Sequence, residues 1–170
     1  MHSEKALDLA LEEAFKTDAA FCKWFLSKTK AGGDYSEYVW SRSNHPWGKV
    51  RLLLPNSQTG ALEMVAREGE TDVLVVFESS AKHRLGVHIE NKLGSGSFTK
   101  YQPEVCAARA DAWVRNEAYG NYDIWETVLL APMSFYQRNA DEAKKFTNFV
   151  SHEEVAEFIP AFRPTTNKRL

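Results

Sequence analysis

The sequence predicts a single α/β or α+β domain, a β-sheet with helices packed on it. Three observations carry this. An opening stretch has apolar residues at helical spacing. A middle stretch holds several β-branched apolar runs between turn residues. The last third returns to helix, strand and short helices.

Residues 4–28 read as one helix. Leu7, Ala10, Leu11, Ala14 and Phe15 fall on one side, and Phe21, Trp24 and Phe25 continue the stripe. Ser3 with Glu4 suits the start, and Thr17-Asp18 marks a break or a second start. Gly32-Gly33-Asp34 punctuates. Two short strands are expected at 37–42 and 49–54, with SNHPWG between them as a hairpin turn. PNSQTG is a loop. Further strands are expected at 62–67, 72–78 and 84–92, followed by a flexible GSGSF. Residues 99–115 read as a helix through Val105, Ala108, Ala112 and Trp113, with Pro103 in its first turn. A strand at 124–130 ends at Ala131-Pro132. Short helices follow at 140–145 and 151–158, and the tail FRPTTNKRL is expected to fray.

At 170 residues the chain has room for one real core. Its formal net charge of −2 gives no global attraction to nucleic acid, so such a partner would need a local basic patch or a metal. Cys22 and Cys106 are far apart and outside any Cys-x-x-Cys pattern, as expected of buried thiols in a reducing compartment. The opening MHSEKALDLALEEAF carries acids where a signal peptide needs an apolar core. No apolar run reaches the ~20 residues of a membrane span. A cytoplasmic protein is the expectation.

The segment HIENKL poses the chemical question. It ends an apolar run, yet carries a carboxylate and an ammonium two residues apart. Along a strand Glu90 and Lys92 share one face, while Ile89 and Asn91 point to the other. Upstream, in REGETDVLVVFE, Glu68, Glu70 and Asp72 share a face and Asp72 opens an apolar strand. If the two strands pair through SSAKHRLG, Asp72 and Glu90 come side by side. Paired carboxylates need a cation, and hard oxygen ligands suit Mg²⁺ or Mn²⁺. A neighbouring Lys can then orient a water or offset charge growing on a phosphate. Glu-x-Lys alone is common on solvated strand faces; the order of strand-opening Asp, turn, Glu-x-Lys and helix is not.

GETD (69–72) followed by IENK (89–92) resembles the metal-dependent PD-(D/E)XK nuclease superfamily. More narrowly it is similar to a small prokaryotic and phage branch with a GE-(S/T)-D…IENK…Q pattern. Residues 8–26 resemble that branch's opening helix, 101–109 its Gln-bearing helix, 127–132 its next strand and 149–158 its closing helix. Residues of about 34–60 look like an insertion within one domain spanning 1–170. The resemblance implies a restriction-endonuclease-like core, a mixed central sheet flanked by helices in the order α-β-β-β-α-β. It implies that Asp72 and Glu90 hold Mg²⁺ or Mn²⁺, that Lys92 positions or activates the attacking water, and that Gln102 helps arrange the site. Glu13 or Glu12 matches the acid of the first helix, with Glu13 preferred. Glu70 matches the acid before Asp72 and supports it. Thr71 stands where the superfamily has Pro, as is usual for the branch. Val105 and Cys106 stand where the branch has Arg-Tyr.

His88 shares the face of Glu90 and reads as a hydrogen-bonded His near the site, with metal ligation as the alternative. His45 reads as structural within its turn, and His152 as a helix start. Ser95 and Ser97 read as a flexible loop. Trp40, Trp47, Phe98 and Tyr101 would stack on bases only if exposed. Lys82, Arg84, Lys100 and Arg109 are the candidate nucleic-acid contacts near the site, with Arg115, Lys168 and Arg169 further off. No Walker, Rossmann or Gly-x-Ser-x-Gly pattern is present.

The expected activity is therefore Mg²⁺-dependent phosphodiester hydrolysis on nucleic acid, with a DNA endonuclease first. The alternative is a catalytically silent nucleic-acid-binding or protein-interaction module of the same fold, in a defence or mobile-element system. A homodimer is open, with the insertion as a candidate interface.

Overall fold

The computed structural model describes residues 2–164; the tail cations Lys168 and Arg169 lie outside them. Helix α1 (Glu4–Thr17) starts where Ser3 accepts the amide of Ala6. The break expected at Thr17-Asp18 is real: Asp18 leaves helical geometry and caps α2 (Ala19–Ser27) through the amide of Phe21. Seven strands follow the pair in chain order: β1 (Tyr35–Arg42), β2 (Trp47–Pro55), β3 (Leu62–Glu70), β4 (Val73–Ser79), β5 (Arg84–Asn91), β6 (Ile124–Ala131) and β7 (Asn148–Ser151). Helix α3 (Gln102–Ala112) lies between β5 and β6. The short α4 (Met133–Arg138), α5 (Ala140–Ala143) and α6 (His152–Val155) surround β7.

The main sheet is mixed, in the order β1-β4-β5-β6-β7. β1, β4 and β5 run antiparallel in turn, and β5, β6 and β7 run parallel. The parallel step needs a crossover, and α3 provides it. Side chains alternate across this sheet. Val73, Val75 and Phe77 of β4, Leu85, Val87 and Ile89 of β5, and Val128 and Leu130 of β6 meet Leu7, Leu11 and Phe15 of α1 and Phe21 and Phe25 of α2. Leu74 and Val76 face the other way onto Trp113 and Tyr122, and Leu129 and Ala131 onto Cys106 and Phe135. Each such fully buried side chain contributes about 2 kcal/mol of apolar transfer.

The expected β1–β2 hairpin does not form. β1 pairs with β4, and β2 turns instead to pair with β3 as a separate two-stranded ribbon. The reason is burial. Every residue of β4 up to Glu78 is buried, so its open edge must be covered, and β1 covers it with Tyr35 and Tyr38 packed on one core and Trp40 on the other. The PNSQTG turn sets the ribbon's register: Asn56 Oδ1 accepts the amides of Gln58 and Thr59, and Gly60 takes φ +73°. The ribbon lies on α3, where Gly48 leaves room for the ring of Trp113; a Cβ there would sit 2.7 Å from it. Within the 34–60 stretch, 35–42 thus belong to the main sheet and 47–55 to the ribbon.

Other elements are shorter than their sequence patterns suggest. The helix expected at 99–115 spans Gln102–Ala112, with Pro103 in its first turn. That at 151–158 is a single turn, closed by a reciprocal cap between Ser151 and Glu154. The sequence pattern misses α4 and β7. Four residues of edge strand are too few to display a period.

Candidate metal centre

The antiparallel pairing of β4 and β5 sets Val73 against Ile89. One step further along the same register, Asp72 stands opposite Glu90, just before β4 begins and near the end of β5. Both carboxylates are 4% exposed. They line one side of a cleft of about 490 Å³, shared with Lys92, Gln102 and Arg109.

Asp72 Oδ2 accepts the backbone amide of Asn91 at 2.7 Å. Among the described residues no donor reaches its Oδ1, whose nearest cationic group is His45 Nδ1 at 3.9 Å. Glu90 is held through one oxygen as well: Oε1 meets Lys92 Nζ at 3.0 Å and accepts from Gln102 Nε2, while Oε2 has no donor among the described residues. Burial, with the charge of Glu90 next, pushes the Asp72 carboxyl up to about 9. Burial raises Glu90 too, against the pull of Lys92. Two buried acids that resist ionising together, each with a bare oxygen, match what a cation site requires.

Lys92 extends the sheet by donating its amide to Leu130 O at 2.9 Å, which aims its side chain along the face of Glu90. Burial alone would lower its pKa, but Glu90 more than offsets this and holds it above the ordinary lysine value. Lys92 is therefore an ammonium that donates hydrogen bonds rather than a base. Gln102 opens α3 and bridges two groups, donating to Glu90 while its Oε1 accepts the amide of Thr99 at 3.0 Å. The tight entry behind it has Tyr101 at φ +62°. The sequence pattern thus brings Asp72, Glu90, Lys92 and Gln102 together as expected.

The first-helix acid is a different one. Glu13 is exposed and does not line the cleft. Glu12 is buried but occupied: the hydroxyls of Ser41 and Ser43 donate to it, and Lys16 pairs with it at 3.1 Å. Asp8, one turn earlier, is fully buried and reaches the site. Its Oδ1 accepts Asn91 Nδ2 at 2.7 Å, and its Oδ2 lies 3.2 Å from His45 Nε2. The signal was present in the acids at positions 4, 8 and 12, a stripe of i, i+4 spacing beside the Leu7–Leu11–Phe15 face.

His45 is the larger surprise. The turn after β1 carries its ring beside Asp72, behind the residues that line the cleft; there Nδ1 meets Glu70 Oε1 at 2.8 Å and Nε2 meets Asp8. Asp8, His45 and Asp72 thereby present ligand atoms all within 4.8 Å of one another. The backbone at His45 has φ +52°, directly before Pro46, a conformation costing a non-glycine residue on the order of 1 kcal/mol. Glu70 supports the site through His45. It does not share a strand face with Asp72, because β3 ends at Glu70 and belongs to the ribbon.

Asn91 is the residue that sequence reasoning passed over. Its amide holds Asp72, its Nδ2 holds Asp8, and its Oδ1 meets His152 Nε2 at 2.8 Å. It points to the α1 side of the sheet as alternation requires, and there it ties α1 and α6 to β5. His88 is the satisfied histidine expected: Thr71 Oγ1 and Tyr122 OH each lie 3.0 Å from its ring nitrogens. Burial drives its pKa down to about 3.

The proposed nucleic-acid contacts divide. Lys100 is exposed at the cleft. Arg109 also lines it but is only 3% exposed, and its guanidinium is committed to Thr71 Oγ1 at 2.9 Å and the Glu70 carbonyl at 2.6 Å. Lys82 and Arg84 sit at the far turn of the β4–β5 hairpin, both paired with Glu78. Six residue steps along β5 separate Arg84 from Glu90, about 20 Å. Arg67, not anticipated, lines the cleft from β3. Of the aromatic candidates, Trp40 and Phe98 are packed and Trp47 is 57% exposed. No helix among the described residues is long and apolar enough to cross a membrane.

Comparisons with protein-family models, with curated proteins and with solved structures returned no match.

Proposed function

We propose that this cleft hydrolyses phosphodiester bonds of nucleic acid, DNA foremost, with a divalent ion held by Asp72 and Glu90. One observation carries the reading: two buried carboxylates opposite each other on paired strands, each with an oxygen that no donor satisfies, beside the Lys92 ammonium. The donors are hard oxygens, which fits Mg²⁺ or Mn²⁺. Such an ion supplies Lewis acidity at the scissile phosphate and a lowered pKa for its water.

The chain's own residues do the rest. Glu90, itself held by Gln102, fixes the Lys92 ammonium, which donates to a phosphate oxygen or to the attacking water and meets charge as it grows. Arg67 and Lys100 stand at the mouth for flanking phosphates. Arg109 stiffens the Glu70–Thr71 turn that precedes Asp72. The element order supports a restriction-endonuclease-like core: α1, the antiparallel β1, β4 and β5, then α3 and the parallel β6, with the ribbon set between β1 and β4. The test is incubation with plasmid DNA and Mg²⁺ or Mn²⁺. Nicking or linearisation is expected, abolished by EDTA and lowered about 100-fold or more in Lys92→Ala. Cleavage indifferent to both would refute it.

A further inference from the structure

We propose that His45 and Asp8 complete the coordination of the ion at Asp72, so that the site takes a nitrogen ligand and prefers Mn²⁺ to Mg²⁺. The assignment rests on the cleft being a divalent-ion site and adds which ion it selects.

Three elements converge on one point: Asp8 from α1, His45 from the turn after β1, and Asp72 at the start of β4. Donor atoms on one ion with bonds of ~2.2 Å lie ~3 Å apart when cis and ~4.4 Å when trans. His45 reaches Asp8 Oδ2 through Nε2 at 3.2 Å and Asp72 Oδ1 through Nδ1 at 3.9 Å, and only one of these nitrogens can bind a given ion. With one ligand atom taken from each residue, all three fall within 4.8 Å of one another, a span one ion bridges once the side chains close on it. The second observation is independent of this clustering. The Asp72 side chain is 6% exposed, yet its Oδ1, the oxygen turned toward His45, has no hydrogen-bond donor among the described residues. Among the described residues the one fully buried side-chain oxygen without a partner is Glu104 Oε2, so Asp72 Oδ1 keeps an open surface, which an incoming ion can reach.

The ligand types then choose the metal. Mg²⁺ takes oxygen ligands and keeps its waters, whereas imidazole suits the first-row transition ions. The carboxylates of Asp8, Asp72 and Glu90 with one imidazole form a mixed nitrogen and oxygen set, which favours Mn²⁺ or a later ion over Mg²⁺. The competing account is that His45 only pairs with Asp8 and Glu70 and touches no metal.

Pulsed electron paramagnetic resonance on the full chain with Mn²⁺ alone separates the two. The proposal expects ¹⁴N modulation of bound Mn²⁺ in the wild type and its loss in His45→Gln. By calorimetry, His45→Gln should weaken Mn²⁺ about tenfold or more while Mg²⁺ affinity moves less than about threefold. Bound Mn²⁺ without nitrogen modulation in the wild type would overturn the proposal, and this needs no variant to fold. So would modulation that persists in His45→Gln. If Mn²⁺ binds without nitrogen and plasmid is still cut, the coordination assignment falls and the hydrolytic reading stands. If no divalent ion binds, both fall.

Discussion

Asn91→Ala is the perturbation that most sharply probes how the site is built. The side chain donates to Asp8 Oδ1 at 2.7 Å and meets His152 Nε2 at 2.8 Å, and all three residues are buried. Alanine removes a hydrogen bond to a carboxylate, worth about 2 kcal/mol, and one to a neutral imidazole, worth about 1 kcal/mol. It also strands Asp8, whose burial already raises its pKa and whose strongest relief is the hydrogen bond from Asn91. The summed loss is about 3–4 kcal/mol. In a chain of 170 residues each kcal/mol lowers Tm by about 2–4 °C, so a fall of roughly 10 °C is expected. Urea unfolding with an unchanged m-value gives the free energy directly. Combining the change with Asp8→Asn should recover about 1 kcal/mol or more, because the stranded charge is gone. A loss below about 1 kcal/mol, or strict additivity of the pair, would refute the three-element tie.

Three further outcomes follow from the same geometry. Asp72→Asn should raise Tm in EDTA at pH 8 while abolishing cleavage: the folded carboxyl titrates near 9 and the unfolded one near 3.8, so the native acid costs stability as pH rises between them. Thermal melts across that range, with a gap that closes toward pH 4, check the sign. His88 has the opposite linkage: the unfolded ring takes its proton near 6.5 and the folded one only near 3, so wild type should lose stability to His88→Gln as pH falls through that window, by several kcal/mol in total. Finally, Asp8→Ala should suppress cleavage at least about 100-fold whereas Glu13→Ala leaves it within about twofold, measured on the same plasmid.

How much of this was legible depends on sequence distance. Asp72, Glu90, Lys92 and Gln102 lie on two neighbouring strands and the next helix, so strand alternation and a short hairpin bring them together with little else needed. The break at Asp18 was legible because a cap is a local event. Asp8 was readable in principle from its i, i+4 spacing with Glu4 and Glu12. The apolar stripe drew attention to the wrong side of the acids. His45 was not readable. Its position depends on β1 covering the edge of β4 rather than pairing with β2, a long-range choice driven by burial that no local pattern records. Asn91 hid in the middle of IENK, because a strand's far face shows its purpose only once the packed helices are known. Lys82 and Arg84 lie away from the cleft for the converse reason: nearness along a hairpin is not nearness to its open end.

The most direct test of the central claim is a crystal soaked in Mn²⁺, read by its anomalous signal. The account predicts a peak in the cleft within about 2.3 Å of Asp72 Oδ1 and of Glu90 Oε2. A protein that cuts DNA in Mn²⁺ but shows no peak between those two oxygens would contradict it.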